Sequence, residues 1–193
     1  MARYDSDVTD TRAYHHGDLR RALLTAALEA IEEVGPTALS LRDLARRAGV
    51  SHAAPAHHFG DKAGLLTALA AQGFDLLAQA LVRAGGDLLE AGVAYVDFAV
   101  RRRAYFEVMF RPELHRPDDA ELTAARDRAG AALRSGVAAL PGGGAPADTD
   151  RDALAAWSIA HGFATLWLAK ALPDRVGDNP SDAAREVLRR LTT

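Results

Sequence analysis

The histidines carry the most evident chemistry in this chain. His52, His57 and His58 fall within the run SHAAPAHHF at residues 51–59. Imidazoles there can hydrogen-bond to bases or phosphates, and the small Ala53 and Ala54 can lie against thymine methyl groups while letting a helix approach closely. His15 and His16 enlarge the cluster. Its charge should therefore rise as pH falls through the ordinary imidazole value of about 6.5, and a bound polyanion should be held more tightly at pH ~6 than at pH ~8. A second constellation lies far along the chain. Trp157 and His161, four apart, share one face of an apolar helix, and Gly162 follows. Tyr95, Phe98, Tyr105, Phe106 and Phe110, with Met109 among them, supply most of the aromatic surface nearby. Each of these is a core candidate. As a set beside polar groups they are also candidates to line a ligand pocket, with His161 either a satisfied core histidine or the group that orients a ligand. His115 and His161 have no spacing that makes a metal site, so neither a metal nor a cofactor is expected.

The elements that must position the first group can be read from caps and periodicity. Ser40 and Asp43 have the spacing of a capping box. Leu41, Leu44, Ala45 and Ala48 then mark one buried helical face and leave Arg42, Arg46 and Arg47 outside it. Gly49 can take the left-handed conformation a tight turn needs, Val50 can plug the interhelical angle, and Ser51 is positioned to cap a second helix ending near Phe59. Two short helices around a glycine turn describe either a helix-turn-helix, whose second helix enters the major groove, or an ordinary helical hairpin. Upstream, Leu19, Leu23, Ala26, Ala27, Ala30, Ile31 and Val34 form a stripe that Gly35-Pro36 stops. Downstream, Asp61 can cap a long helix carrying Leu65, Leu66, Leu69, Phe74, Leu77 and Leu81. Ser40 and Lys62 then stand at helix starts, where N–H groups favour a phosphate.

Composition bounds the rest. The chain has 193 residues, enough for a small head and a bundle of helices, and its formal net charge is −3, so attraction to nucleic acid must come from local placement of cations. It has no cysteine, which excludes disulfides and thiolate chemistry and fits a cytoplasmic setting. The acidic N-terminus is not a signal sequence, and the apolar run 153–169 is short for a membrane span and reads as a buried helix. Residues 1–16 are expected to be a disordered arm, with Arg3 and Arg12 as its potential minor-groove contacts. Pro141 to Thr149, PGGGAPADT, is expected to be a linker inside the second half.

YHHGDLRRALLTAALEAIEEVG, LSLRDLARRAGVS, HHF and DK, at these intervals over residues 14–81, resemble the head of the TetR family of one-component transcriptional regulators. GVAYVDFAVRRRAYFEVMF at 92–110, and W-x-x-x-H-G at Trp157, His161 and Gly162, resemble the sensing domain of one subgroup. The resemblance implies an all-α fold: a three-helix helix-turn-helix head at 17–62 joined to a helical-bundle ligand-sensing and dimerisation domain at 63–193. It further implies a homodimer whose heads meet successive major grooves of a near-palindromic double-stranded DNA operator, about 34–36 Å apart or at a related spacing. A small molecule in the second domain would change that separation, most often releasing a repressor. DNA contacts are then expected from Ser40, Arg42, Ser51, His52, Ala53, Ala54, His57 and His58. Lys62 stands at the position the family uses for a phosphate contact. The last two helices, about 150–172 and 181–191, would build the dimer interface with Ala160, Phe163, Ala164, Trp167 and Leu168, joined by Leu188 and Leu191. The same stripe could instead pack within the subunit.

One position departs from the family pattern. Ala56 stands where a tyrosine commonly meets DNA phosphate, and Pro55 precedes it in the reading helix. Two alternatives follow: a degenerate relative that binds ligand or protein without DNA, or a small-molecule enzyme using His161. The second has little support, since the chain has no Gly-rich phosphate loop and no G-x-S-x-G.

Overall fold

Each helix of the head ends where local backbone chemistry requires it to. The structure, a computed structural model, describes residues 9–139 and 146–190, among which there are helices and no strand. Helix α1 (Thr9–Ala38) is continuous except for a kink at Gly35, whose φ of 76° lies in the left-handed region that favours glycine. Pro36 then starts the last turn. The backbone of residues 9–16, expected to be irregular, instead begins α1; the rest of the expected arm lies outside the described residues.

Helices α2 (Leu41–Arg47) and α3 (Ala54–Phe59) follow, with Gly49 at φ 66° in the turn between them. The long α4 (Lys62–Arg83) begins at Asp61, whose side chain accepts from the Gly64 N–H at 2.8 Å. The second half comprises α5 (Leu88–Arg101), α6 (Arg103–Met109), a 3-10 turn at Pro112–Leu114, α7 (Ala120–Ala138), α8 (Pro146–Leu168), a second 3-10 turn at Asp174–Val176 and α9 (Pro180–Arg189). The expected linker is therefore shorter than its composition suggests, because the chain is helical from Pro146.

Two caps differ from the sequence reading. Ser40 is the N-cap of α2 but its hydroxyl caps nothing, and Asp43 turns to Arg46 and Arg47 instead of completing a capping box. An i,i+3 and i,i+4 pairing with two guanidiniums competes for the carboxylate and wins. Ser51 does not cap α3. Its carbonyl accepts from the Ala54 N–H, and Ala53 occupies the cap position in a helical conformation.

Helix α4 ties the halves together. It packs along α7 and against α5 and α6, while α1 lies on α6 and α5 is covered by α8 and α9. One apolar core runs from Leu23, Ile31 and Leu44 through Leu65 and Leu69 to Met109 and Leu122, crossing the expected boundary after Lys62. Among the described residues α4 is the helix long and apolar enough to cross a membrane. Most of it is buried in this core, which accounts for its apolarity.

Candidate DNA-reading head and ligand cavity

The head presents a small, weakly charged reading surface. Along α3 and the turn before it, Ser51, His52, Ala53, Ala56 and His57 are exposed, Ala54 and His58 are half-buried, and Phe59 is buried beneath the Arg20 guanidinium, 5.4 Å from the ring centroid. Pro55, at the second helical position, is fully buried. Its missing N–H would be an orphan there in any residue, so it fills the head's core at no cost in hydrogen bonds. Helix α2 adds an exposed Arg42, which makes no ion pair among the described residues, and the exposed Ser40. Arg47 is committed to Glu33 and Asp43, and Arg46 to Asp43; these guanidiniums hold both carboxyls below their ordinary range. Lys62 is half-buried, and its Nζ donates to the Thr37 carbonyl at 2.5 Å, so it fastens the end of α1 to the start of α4.

In the second half, α4, α5, α7 and α8 line a cavity of about 1000 Å³, partly open to solvent and at the upper end of the range for small-molecule sites. Its walls are apolar. Phe74 meets Phe110 edge to face at 5.6 Å, Phe110 lies against Trp157 at 6.1 Å, and Leu77, Leu81 and Leu133 continue the lining. Three rings are linked by hydrogen bonds. The Trp157 indole can only donate, and it reaches the Tyr95 hydroxyl at 3.2 Å. The hydroxyl is 2.8 Å from His161 Nδ1. Burial lowers the His161 pKa and raises that of Tyr95, so this bond joins a neutral hydroxyl and a neutral imidazole, and the imidazole tautomer sets its direction.

Four of the expected ligand residues, Tyr95, Met109, Phe110 and Trp157, line this cavity. Three do not. His161 is satisfied by Tyr95 and packs between Phe106 and Phe110, at 5.2 and 4.6 Å, so it and Phe106 form the layer that supports the wall. Phe98 is buried in the core away from the lining. The sequence reading missed Phe74, taken only as core, and Arg126 on α7. Arg126 lies in an alanine-rich helix with no local feature marking it; its guanidinium stands 5.5 Å over Phe74 and bonds to His115 Nδ1 at 3.2 Å.

The expected dimer stripe needs a correction. Ala160, Phe163, Ala164 and Leu188 are all buried inside the chain's own core, Ala164 completely. Trp167 and Leu168 are half-buried against the same core, and Leu191 lies outside the described residues. The exposed large apolar residues of α8 are Leu154, Trp157, Ile159 and Leu166, of which the first three also border the cavity, and on α9 it is Val187.

Cavity and head are joined by adjacent residues. Arg116 follows His115, and its backbone N–H donates to Thr67 Oγ1 at 2.9 Å. Its guanidinium donates to the Phe59 carbonyl, the last of α3, at 3.4 Å and to Asp61 at 3.0 Å.

Comparison with known proteins agrees with both halves. Residues 23–69 match the family described as bacterial regulatory proteins, tetR family, and residues 88–191 match the tetracyclin repressor-like C-terminal domain. The HTH-type transcriptional regulator BetI of Escherichia coli is 53% identical over 49 residues, which are 25% of this chain and 25% of that protein. A protein of unknown function from Rhodococcus sp. RHA1 superposes with a TM-score of 0.73 at 34% identity, covering 90% of this chain and 93% of its own. The fold is shared with the TetR family regulator PfmR of Thermus thermophilus, at TM-score 0.62 and 24% identity, covering 86% and 93%. It is shared too with LfrR of Mycobacterium smegmatis, solved in complex with proflavine, at TM-score 0.62 and 23% identity, covering 92% and 96%. With its head and its C-terminal domain both matched, the chain belongs to the TetR family.

Proposed function

We infer that this chain is a ligand-responsive transcriptional regulator, a repressor that leaves a near-palindromic operator when a small molecule fills the α4–α5–α7–α8 cavity. The observation that carries the reading is the pairing of an exposed α3 with a built apolar cavity on one shared helix, α4, whose first turn is bonded to the end of α3 through Arg116. A ligand that prefers one arrangement of the cavity wall would bias the pose of the head by its differential affinity for the two arrangements. Base contacts are assigned to His52, His57 and the Ala53–Ala54 surface. Phosphate contacts go to Ser40, Arg42 and Ser51, with His58 at the edge. Lys62, with one ammonium N–H on the Thr37 carbonyl, has two more donors to offer a phosphate. Such a protein acts in the cytoplasm, and no step of this reading requires an enzyme or a membrane.

The partner of the outward α8 face is a second copy of this chain. Ala155, Ser158, Ile159, Gly162 and Leu166 recur at helical spacing on that face, where Ala155 and Ile159 also border the cavity, and a side chain added at Gly162 would meet nothing within 4 Å in its own subunit. The small residues leave room for a helix of the partner to approach closely, and Ile159, Leu166 and Val187 supply apolar surface to bury.

Selection of bound fragments from a random duplex library at physiological salt tests the function. Enrichment of a near-palindrome is expected. If a folded dimer enriches nothing, the second reading gains, in which Ala56 marks a head that no longer reads DNA.

A further inference from the structure

The cavity has one ionic feature that its apolar lining does not explain. Arg126 is half-buried in the wall, yet among the described residues no carboxylate pairs with it. Its contacts are the face of Phe74 and the Nδ1 of His115. A guanidinium can only donate, so Nδ1 must accept and His115 is neutral. Neither contact cancels the charge. His115 itself is 7% exposed, and among the described residues its Nε2 makes no well-formed hydrogen bond. The other charges of the cavity are placed differently. Arg134 and Asp150 are exposed and stand 3.9 Å apart as an ion pair, and Asp152 is exposed, so water screens all three. A half-buried cation without a counter-ion in an otherwise apolar pocket leaves a cost that an arriving anion removes.

We propose that the ligand is an organic anion with an apolar body, a carboxylate or a comparable oxyanion, whose charged end sits on the Arg126 guanidinium while its body lies along Phe74, Phe110, Leu77 and Leu81. The proposal rests on the reading of this cavity as the ligand site and adds the chemical class. The guanidinium fork offers a carboxylate two parallel N–H donors, and the aromatic wall beside it takes the first carbons of the body. A neutral ligand of the same shape leaves the charge unpaired, and a cationic one adds a repulsion.

Calorimetric titration of the full chain with decanoate, decan-1-ol and decyltrimethylammonium, each below its micelle concentration, separates the outcomes. Decanoate is expected to bind about tenfold or more tightly than decanol, the worth of a charge-assisted hydrogen bond in a partly dry site. Arg126→Met should erase that preference to within about twofold, with its fold checked by far-UV circular dichroism; Arg126→Lys, which keeps the charge but loses the two-donor fork, should retain only part of it. Equal binding of decanoate and decanol by the unaltered chain, or a preference for the ammonium, overturns the anion anchor while the cavity still binds. Absence of binding by all three probes removes the cavity as a ligand site and the proposal with it. The ranking in the unaltered chain decides the matter even if Arg126→Met does not fold.

Discussion

Single side chains decide whether this head can hold DNA and how the fold responds to acid. Ala56 is exposed on α3, at the position where related heads commonly present a tyrosine to phosphate. Its Cβ faces solvent beside His57, so a larger side chain meets no core residue. Ala56→Tyr is expected to strengthen operator binding by about 1 kcal/mol, roughly fivefold, measured by anisotropy on a selected operator. No gain would mean that the phosphate passes elsewhere. His115 sets a different limit. Burial is the main cause of its lowered pKa; the Arg126 charge adds to it, and the nearby Val108 carbonyl and Glu113 oppose it. The folded state therefore holds this imidazole neutral at pH values where the unfolded chain, titrating near 6.5, already takes a proton. Stability is flat above that value and falls as pH drops below it, by at most about 1.4 kcal/mol per pH unit for this group. Urea melts between pH 7 and pH 5 should show the loss, and His115→Gln should reduce it, leaving the share of His161, whose pKa burial also lowers; an unchanged slope would assign the acid sensitivity to other groups.

At the scale of elements, the loop between α6 and α7 is as important as the helices. Arg116 reaches across it to the Phe59 carbonyl and Asp61, and its backbone holds Thr67, so one residue grips the end of α3 and the first turns of α4. Arg116→Ala is expected to speed amide exchange over residues 59–66 by about two- to fivefold, the scale of a partly exposed ion pair, with α8 and α9 unchanged. A uniform acceleration would show that Arg116 supports only global stability. This contact was not legible in the sequence, because it joins positions more than fifty residues apart with no local pattern to announce it. What was legible is local. Gly35, Gly49 and Asp61 stop or start helices through backbone conformation and capping, and the stripes of α1 and α4 are buried as their spacing requires, except that Leu19 is half-buried and Val34, next to the Gly35 kink, is 54% exposed. Ser51 failed as a cap because the backbone makes one more turn before α3, which composition does not specify. Helix α8 is apolar on several sides, so periodicity could mark Ala160, Phe163 and Ala164 as one face without saying whether it looks inward or toward a partner.

At the scale of the whole molecule, that ambiguity resolves into a distinction between folding and assembly. Residues of α8 that point inward, such as Ala164 at 0% exposure, hold the subunit together; those that point outward, such as Leu166 at 47%, are free to meet a second copy. A charge at the first kind of position should lower the melting temperature before it affects association. A charge at the second should separate subunits that remain folded, because the side chain is solvated in the monomer and desolvated only in the interface. Leu166→Glu is therefore expected to give a folded monomer by sedimentation velocity, with a thermal midpoint little changed at concentrations where the dimer has already dissociated. Operator affinity should then fall by about two to four orders of magnitude. Two heads fixed on one scaffold bind the second half-site at a high effective concentration, and a single head forfeits that gain. If Leu166→Glu stays dimeric and keeps its operator affinity, the α8 face is not where two copies meet, and the spacing of the heads must be set by another surface.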